Sequence, residues 1–99
     1  MKLAEQYSGR IGHVHCKDIR PQVMDDSLNR DGSFLDAVLE GVFTVPGDGC
    51  IDYQGMFAPL KASAYRGWVV VEAEQDPSVA PSYQYAQLGY RNLRAFLDG

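Results

Sequence analysis

The alternation of apolar and polar residues predicts two short strands that each end in chemically active side chains. Residues 67–72 carry a continuous, mostly β-branched apolar run that ends at Glu72, which is typical of a parallel strand buried on both faces. Residues 10–16 alternate, so His13 and His15 share one face. We expect the two strands to be neighbours in a parallel sheet and to bring their final side chains to one edge.

Helix signals occur at three further places in the chain. Ser33 and Asp36 resemble a capping box, and Asp52 is placed as an N-cap. The predicted helices cover about residues 34–40, 53–64 and 82–98. The last has an apolar stripe expected to face the core, formed by Ala86, Tyr90, Leu93 and Leu97. The order of strands and helices predicts an α/β fold with two βα units.

The segments between these elements contain turn and loop signals. Residues 3–8 are predicted to be the tail of a helix stopped at Gly9, so we expect the chain to begin in the middle of a fold. Residues 17–30 are polar without a sustained period and are predicted to be a loop. After an apolar run at 42–45, Gly47 and Gly49 are expected at positive φ.

Composition narrows the class of protein. The chain has 99 residues, 45% apolar and 22% charged, which suits one small globular domain and falls well short of the roughly 250 residues of a closed α/β barrel. We expect no membrane association and a cytoplasmic location, because no apolar run approaches a membrane span or a signal-peptide core. A net charge of −4 with scattered basic residues argues against nucleic acid as a partner. Cys16 and Cys50 lack the spacing of a disulfide framework.

His15 and Glu72 are the strongest candidates for chemistry. At the ends of adjacent parallel strands, about 4.8 Å apart, their side chains can reach one cation. Imidazole with carboxylate suits Mn²⁺, Co²⁺ or Zn²⁺ better than Ca²⁺. The alternative is a hydrogen-bonded histidine beside a solvated glutamate, and spacing alone favours that alternative.

Charged residues near the strand ends are candidates for substrate contacts or for supporting roles in a site. Lys17 could polarise a substrate oxygen or donate a proton, and the alternative is a surface ion pair with Asp18. Arg20 could clamp a hydroxyl or carboxylate, or simply begin the loop. Glu74 and Asp76 are either supporting acids of a site or the acids of a strand-to-helix turn.

Three other residues are interpreted as structural. His13 lies deeper than His15 on the same face, so we expect a packed, hydrogen-bonded core histidine. Cys16 faces away from the histidines, which makes a nucleophilic Cys-His pair improbable. Trp68 is expected in the core.

Three segments are recognisable in order: GHVHCKD at 12–18, GVFTVPGDG at 41–49 and YRGWVVVEAEQDP at 65–77. Together they resemble the C-terminal third of the inosose dehydratase family, a branch of the xylose-isomerase-like sugar isomerase/epimerase superfamily of TIM barrels. The resemblance runs from about residue 9 to residue 98. It implies that the two predicted strands are the seventh and eighth of a barrel with a divalent metal, Mn²⁺ or Co²⁺, at its C-terminal rim.

The resemblance also implies roles for particular residues. In that family a glutamate and an aspartate from strands five and six, a histidine from strand seven and a glutamate from strand eight hold the metal. His15 and Glu72 match the last two, and Lys17 matches a residue placed to contact the cyclic polyol ketone substrate. The implied hydro-lyase activity removes water from 2-keto-myo-inositol to give a trihydroxycyclohexane dione. Lys17 and Glu72 are thus the implied catalytic residues, with Lys17, Asp18, Arg20 and Glu74 the candidate substrate contacts.

The match leaves out the first six strands and half of the metal ligands. We therefore expect an enzyme fragment of residues 1–99, a partial TIM barrel that is inactive alone and can lack a bound metal. Its open sheet edges predict a homo-oligomer, with or without swapped elements. The alternatives are a non-catalytic self-associating module derived from that enzyme, or a sugar isomerase/epimerase of the same superfamily.

Overall fold

The computed structural model describes residues 2–98, which form an α/β structure of short strands and five helices. The helices are α1 (Lys2–Tyr7), α2 (Pro21–Asn29), α3 (Phe34–Leu39), α4 (Tyr53–Ala62) and α5 (Ser82–Asp98), with a 3-10 turn at Ser8–Arg10. The strands are β1 (His13–Cys16), β2 (Asp18–Ile19), β3 (Phe43–Thr44) and β4 (Trp68–Val71). The strands of residues 2–98 do not close into a barrel. No helix in this range is both long and apolar enough to cross a membrane.

The central feature is the parallel pairing of β1 with β4, in which His15 is opposite Val70 and Cys16 is opposite Val71. This confirms the predicted neighbours, although β1 begins at His13 rather than at residue 10. The backbone N–H of Glu72 donates to the carbonyl of Cys16 at 2.9 Å and extends the pairing past the end of β4.

Only one face of the β1–β4 sheet is covered. The apolar residues of that face pack against a core contributed by α4 and α5, formed by Tyr53, Phe57, Leu60 and Leu93. The opposite face, which we call the open face, carries His13, His15 and Trp68 in alternation. Trp68 is 77% exposed, so the predictions of a β4 buried on both faces and of a core Trp68 were wrong. The reason is that helices of the described chain pack on one side of this sheet alone.

Residues 17–30 are not a loop, and that prediction was wrong. They contain β2, which pairs antiparallel with β3, and the nine-residue helix α2. Pro21 occupies the first turn of α2, where a missing N–H costs nothing and the fixed φ suits the helix. The polar residues of α2 hide its period, because its buried residue is Ser27 rather than an apolar one.

The predicted helix caps are present. Ser33 and Asp36 form a capping box, and the Asp52 carboxylate accepts from the Gly55 N–H. In α5 the buried positions are Gly89 and Leu93, whereas Tyr90 is 62% exposed, so the predicted stripe is rotated. A Cβ at Gly89 would crowd the side chains of Val71 and Val45, so glycine lets α5 pack closely on β4.

Asp18 fastens β2 to the loop that precedes α4. Its side chain is fully buried, and Oδ1 accepts the N–H groups of Ile19 (2.9 Å) and Ile51 (3.1 Å) while Oδ2 accepts that of Gly47 (3.0 Å). Gly47 has the expected positive φ of +88°. Gly49 does not have the expected positive φ. A side chain is excluded at this position because a Cβ would overlap the Ile19 carbonyl and the Asp18 carboxylate.

Arg20 performs a similar task at the other end of β2. Its Nη1 donates to the carbonyl of Gly41 at 2.8 Å, and its Nη2 donates to Thr44 Oγ1 at 3.1 Å and to Asp48 Oδ2 at 3.2 Å. The guanidinium thereby joins β2 to the ends of β3. Both Nη groups of Arg20 therefore donate to groups of the protein itself.

Replacing Asp18 with alanine should destabilise the chain strongly, because three partly buried N–H groups would lose their acceptor at once. At about 1–3 kcal/mol for each group left unsatisfied, with partial relief by entering water, we expect the free energy of unfolding to fall by about 3 kcal/mol in Asp18→Ala. Urea unfolding followed by circular dichroism measures it. Asp25→Ala, on the exposed surface of α2, should change stability by no more than about 0.5 kcal/mol. Equal losses in both variants would contradict the role given to Asp18.

Candidate functional site

The candidate site lies on the open face, where β1 and β4 end. Lys17 is the first residue after β1, and Glu72 is the first residue after β4, with Glu74 two residues further on. The period-two alternation that gives His15 its face continues to Lys17 and Glu72. The predicted meeting of His15 with Glu72 occurs: His15 Nδ1 lies 3.1 Å from Glu72 Oε2. Strand register, rather than any loop, sets this contact.

Lys17 joins the two acids into one network. Its Nζ donates to Glu74 Oε1 at 2.8 Å and lies 3.5 Å from Glu72 Oε1. Each Glu72 oxygen therefore faces a different nitrogen, one of His15 and one of Lys17. Lys17 thus forms the ion pair that was the alternative to a substrate contact, with the two glutamates rather than with Asp18 as its partners.

The protonation of Glu72 follows from these neighbours. The hydrogen bond from His15 lowers the pKa of the Glu72 carboxyl, partial desolvation opposes the shift, and the charge of Lys17 adds to it. The carboxyl is thus held as a carboxylate at neutral pH, in the form that binds cations.

Lys17 is held as an ammonium ion. Its hydrogen bond to Glu74 raises the pKa of Lys17, partial burial works against this, and the negative charge of Glu72 adds to the increase. The Nζ also lies 4.5 Å from the centre of the Phe43 ring, and the Lys17 carbonyl accepts a hydrogen bond from the Tyr53 hydroxyl. Of the two roles considered for Lys17, polarising an oxygen suits a raised pKa better than donating a proton.

His13 is exposed, not packed in the core as predicted. Its Nε2 lies 3.0 Å from His15 Nε2, and the two ring centroids are 4.9 Å apart. The prediction failed because it assumed a second layer of protein over this face.

Two candidate substrate contacts belong to the scaffold instead. Asp18 is fully buried with its carboxylate bound to backbone N–H groups, so it presents nothing to a ligand and that assignment was wrong. Arg20 donates to Gly41, Thr44 and Asp48, which supports the structural alternative for this residue.

Asp76 and Cys16 also have structural roles. Asp76 Oδ1 accepts from the N–H and the hydroxyl of Ser78, which lower its pKa and build the turn before α5. Cys16 lies in the core, and burial raises the pKa of its thiol to about 11. Its side chain therefore lies on the covered face, away from the two histidines, and the thiol is protonated at neutral pH.

Sequence reasoning missed Tyr53 and Phe43, which position Lys17. Tyr53 is the first residue of α4 and is 36 residues from its hydrogen-bond partner, and Phe43 belongs to a two-residue strand. Neither carries a local signal, since both contacts depend on how α4 and β3 pack.

A complete metal shell does not form within the described chain. No group of three or more His, Cys, Asp or Glu side chains among residues 2–98 is arranged to hold a metal ion. His15 and Glu72 are two suitable donors in contact, which is half of a four-ligand site.

Known proteins match this chain over nearly its whole length. Residues 2–96 match the family described as xylose isomerase-like TIM barrel. The rhizopine catabolism protein MocC of Rhizobium meliloti is 52% identical over 91 residues, which is 92% of this chain and 28% of the relative. Inosose dehydratases of Klebsiella pneumoniae and Clostridium beijerinckii are each 50% identical, over 95% and 93% of this chain and 31% of each relative. The chain thus spans about three-tenths of the length of these relatives.

Removing the imidazole should raise the pKa of Glu72. In His15→Ala we expect the Glu72 carboxyl to titrate closer to its ordinary range, because the first cause of its depressed pKa is lost while Lys17 remains. In the parent the associated stability is present above the ordinary glutamate pKa and is lost as the pH falls through the depressed value. Carboxyl ¹³C chemical shifts recorded against pH measure the pKa of Glu72 in the parent and in the variant.

Asp76 serves as the internal control in the same spectra, since its low pKa depends on Ser78 and should not move. An unchanged Glu72 titration in His15→Ala would contradict the pairing of these side chains.

Proposed function

Because this chain belongs to the xylose isomerase-like TIM barrel family, we propose that it is a part of an inosose dehydratase-like hydro-lyase acting on 2-keto-myo-inositol. Identities of about 50% with inosose dehydratases support the branch. The observation that carries the proposal is the convergence of His15, Lys17 and Glu72 on one face at the ends of two paired parallel strands. That edge is where TIM barrels place their active sites.

His15 and Glu72 are proposed as two of the ligands of a divalent cation, Mn²⁺ or Co²⁺. A neutral imidazole and a carboxylate are suitable donors for these ions, and the low pKa of Glu72 keeps the second donor ionised. When bound, such a cation supplies Lewis-acid polarisation of the substrate ketone. No third His, Cys, Asp or Glu side chain joins them to form a metal-binding group among residues 2–98, so we propose that the chain alone does not catalyse the reaction.

Lys17 is proposed as the residue that stabilises charge on the substrate. When a base takes the proton from the carbon beside a ketone, negative charge develops on the ketone oxygen. The hydroxyl on the next carbon then leaves, and the proton held by the base converts it to water. An ammonium kept protonated by Glu74 can donate a hydrogen bond to that oxygen throughout. Phe43 and Tyr53 hold Lys17 in place, so the donor needs little reorganisation during the reaction.

A second candidate substrate comes from the 52% identity with the rhizopine catabolism protein. In that case the same residues would act on a compound of rhizopine catabolism. Assaying one preparation with both compounds separates the two candidates.

The proposal is tested with a chimera in which this chain replaces the matching segment of the Klebsiella pneumoniae inosose dehydratase. We expect the chimera, supplied with Mn²⁺ or Co²⁺, to dehydrate 2-keto-myo-inositol, while the 99-residue chain alone does not. Lys17→Met in the chimera should lower kcat by about 100-fold, the usual cost of removing one preorganised donor. Turnover is followed by mass spectrometry as the loss of one water from the substrate.

Arg30→Met is the matched control, because Arg30 is a basic residue that pairs with Glu40 on the surface. It should leave kcat unchanged. A folded chimera without turnover, or one whose kcat is the same with Lys17→Met, would contradict the proposal.

We also propose, as the alternative for the isolated chain, that it self-associates through the open face and the free edges of β1 and β4. In the described chain β1 and β4 pair only with each other, which leaves an unpaired edge on each strand. Trp68 lies exposed on this face beside the pair. A second copy would bury the ring and satisfy the free backbone groups.

Trp68 is the single tryptophan of the sequence and therefore reports on this association directly. With rising protein concentration we expect a blue shift of its emission together with a higher mass in light scattering. Leu28→Ser, which alters an apolar side chain 71% exposed on α2, is the control and should still associate. A monodisperse monomer with unchanged emission at high concentration would rule the alternative out.

A further inference from the structure

The two histidines of β1 form a pair whose geometry neither the family match nor the proposed reaction uses. His13 and His15 are two residues apart on one strand, point from the same face and are both exposed. Their Nε2 atoms lie 3.0 Å apart. Two exposed imidazole nitrogens at this separation can bind the same cation.

The separation is close to what a transition metal requires. With metal–nitrogen bonds of about 2.0–2.1 Å and a tetrahedral angle, two ligating nitrogens lie about 3.4 Å apart. The rings of His13 and His15 therefore need to separate by only a few tenths of an ångström. An imidazole that carries its proton on Nε2 must move it to Nδ1 or release it to water before that nitrogen binds a metal.

Glu72 completes the arrangement from the other side of His15. Its Oε2 lies 3.1 Å from His15 Nδ1. A carboxylate that accepts the Nδ1–H fixes the tautomer that leaves Nε2 free to bind a metal, as in the carboxylate–histidine–metal arrangement of many metalloproteins. Lys17 does not work against this, because its charge is offset by Glu74 and Glu72.

We propose that His13 and His15 bind one borderline transition-metal ion, such as Zn²⁺ or Cu²⁺, through their two Nε2 atoms. Water fills the remaining positions, and Glu72 acts as the hydrogen-bonded partner that orients His15. This site is a property of the 99-residue chain and does not depend on the proposed dehydratase activity. It differs from the His15 and Glu72 half-shell in two respects: His13 is a ligand and Glu72 is not.

Zn²⁺ titration by calorimetry tests the site, with Cys50→Ser as the parent so that the exposed thiol does not compete. We expect one Zn²⁺ per chain. His13→Ala should weaken binding by more than 100-fold, since it removes one of two protein ligands. Glu72→Gln should weaken it 10–100-fold, the usual cost of losing an outer-shell carboxylate. Asp76→Asn, at an acid bound to Ser78, should have no effect.

Electron paramagnetic resonance of the Cu²⁺ form provides the second readout, with coupling to two equivalent nitrogens expected. Circular dichroism of each variant establishes that it is folded. The proposal is overturned if the parent binds no Zn²⁺, if folded His13→Ala binds it as the parent does, or if the Cu²⁺ spectrum reports a single nitrogen. The last two results would assign the metal to His15 with Glu72.

Discussion

The parallel pairing of β1 with β4 is the interaction on which the rest of the structure depends. The two strands are distant in sequence. Their register places His15 opposite Val70, and it lets the N–H of Glu72 donate to the carbonyl of Cys16. A shift of one residue would move every side chain to the opposite face and would separate His15 from Glu72. The core under this sheet, centred on Phe57 and Leu93, stabilises that register because the apolar side chains of the covered face pack against it.

The site is a network of hydrogen bonds and ion pairs rather than a set of isolated residues. Glu72 lies between His15 and Lys17, and Glu74 secures Lys17 from the far side. His15 and Lys17 lower the pKa of Glu72, and Glu74 and Glu72 raise the pKa of Lys17, so this carboxylate and this ammonium favour each other's ionised form. Two candidate metal donors and one ammonium donor thus lie at the same edge, as the proposed elimination beside a ketone requires.

Much of this could be predicted from the sequence because the signals are local. The apolar run before Glu72, the alternation up to His15 and the caps at Ser33 and Asp52 each act over a few residues, and all four appear in the structure. Helix α2 was missed because its polar sequence masks its period.

The roles of Asp18 and Arg20 could not be predicted in the same way. The hydrogen bonds that give these two side chains their structural roles reach partners 21 to 33 residues away in the chain. Such distant partners leave no local signal, so from sequence a charged residue beside a strand end resembles a substrate contact. His13 and Trp68 were assigned to the core on the assumption that both faces of the sheet are covered. The residues described here cover only one.

The most direct test of this account is a scalar coupling measured across the hydrogen bond from the Glu72 N–H to the Cys16 carbonyl in the isotope-labelled chain. The account predicts a cross-peak between the Glu72 nitrogen and the Cys16 carbonyl carbon, together with slow exchange of that amide proton. A Glu72 amide that exchanges as fast as in an unfolded peptide and shows no such coupling would contradict the pairing that brings His15 and Glu72 together.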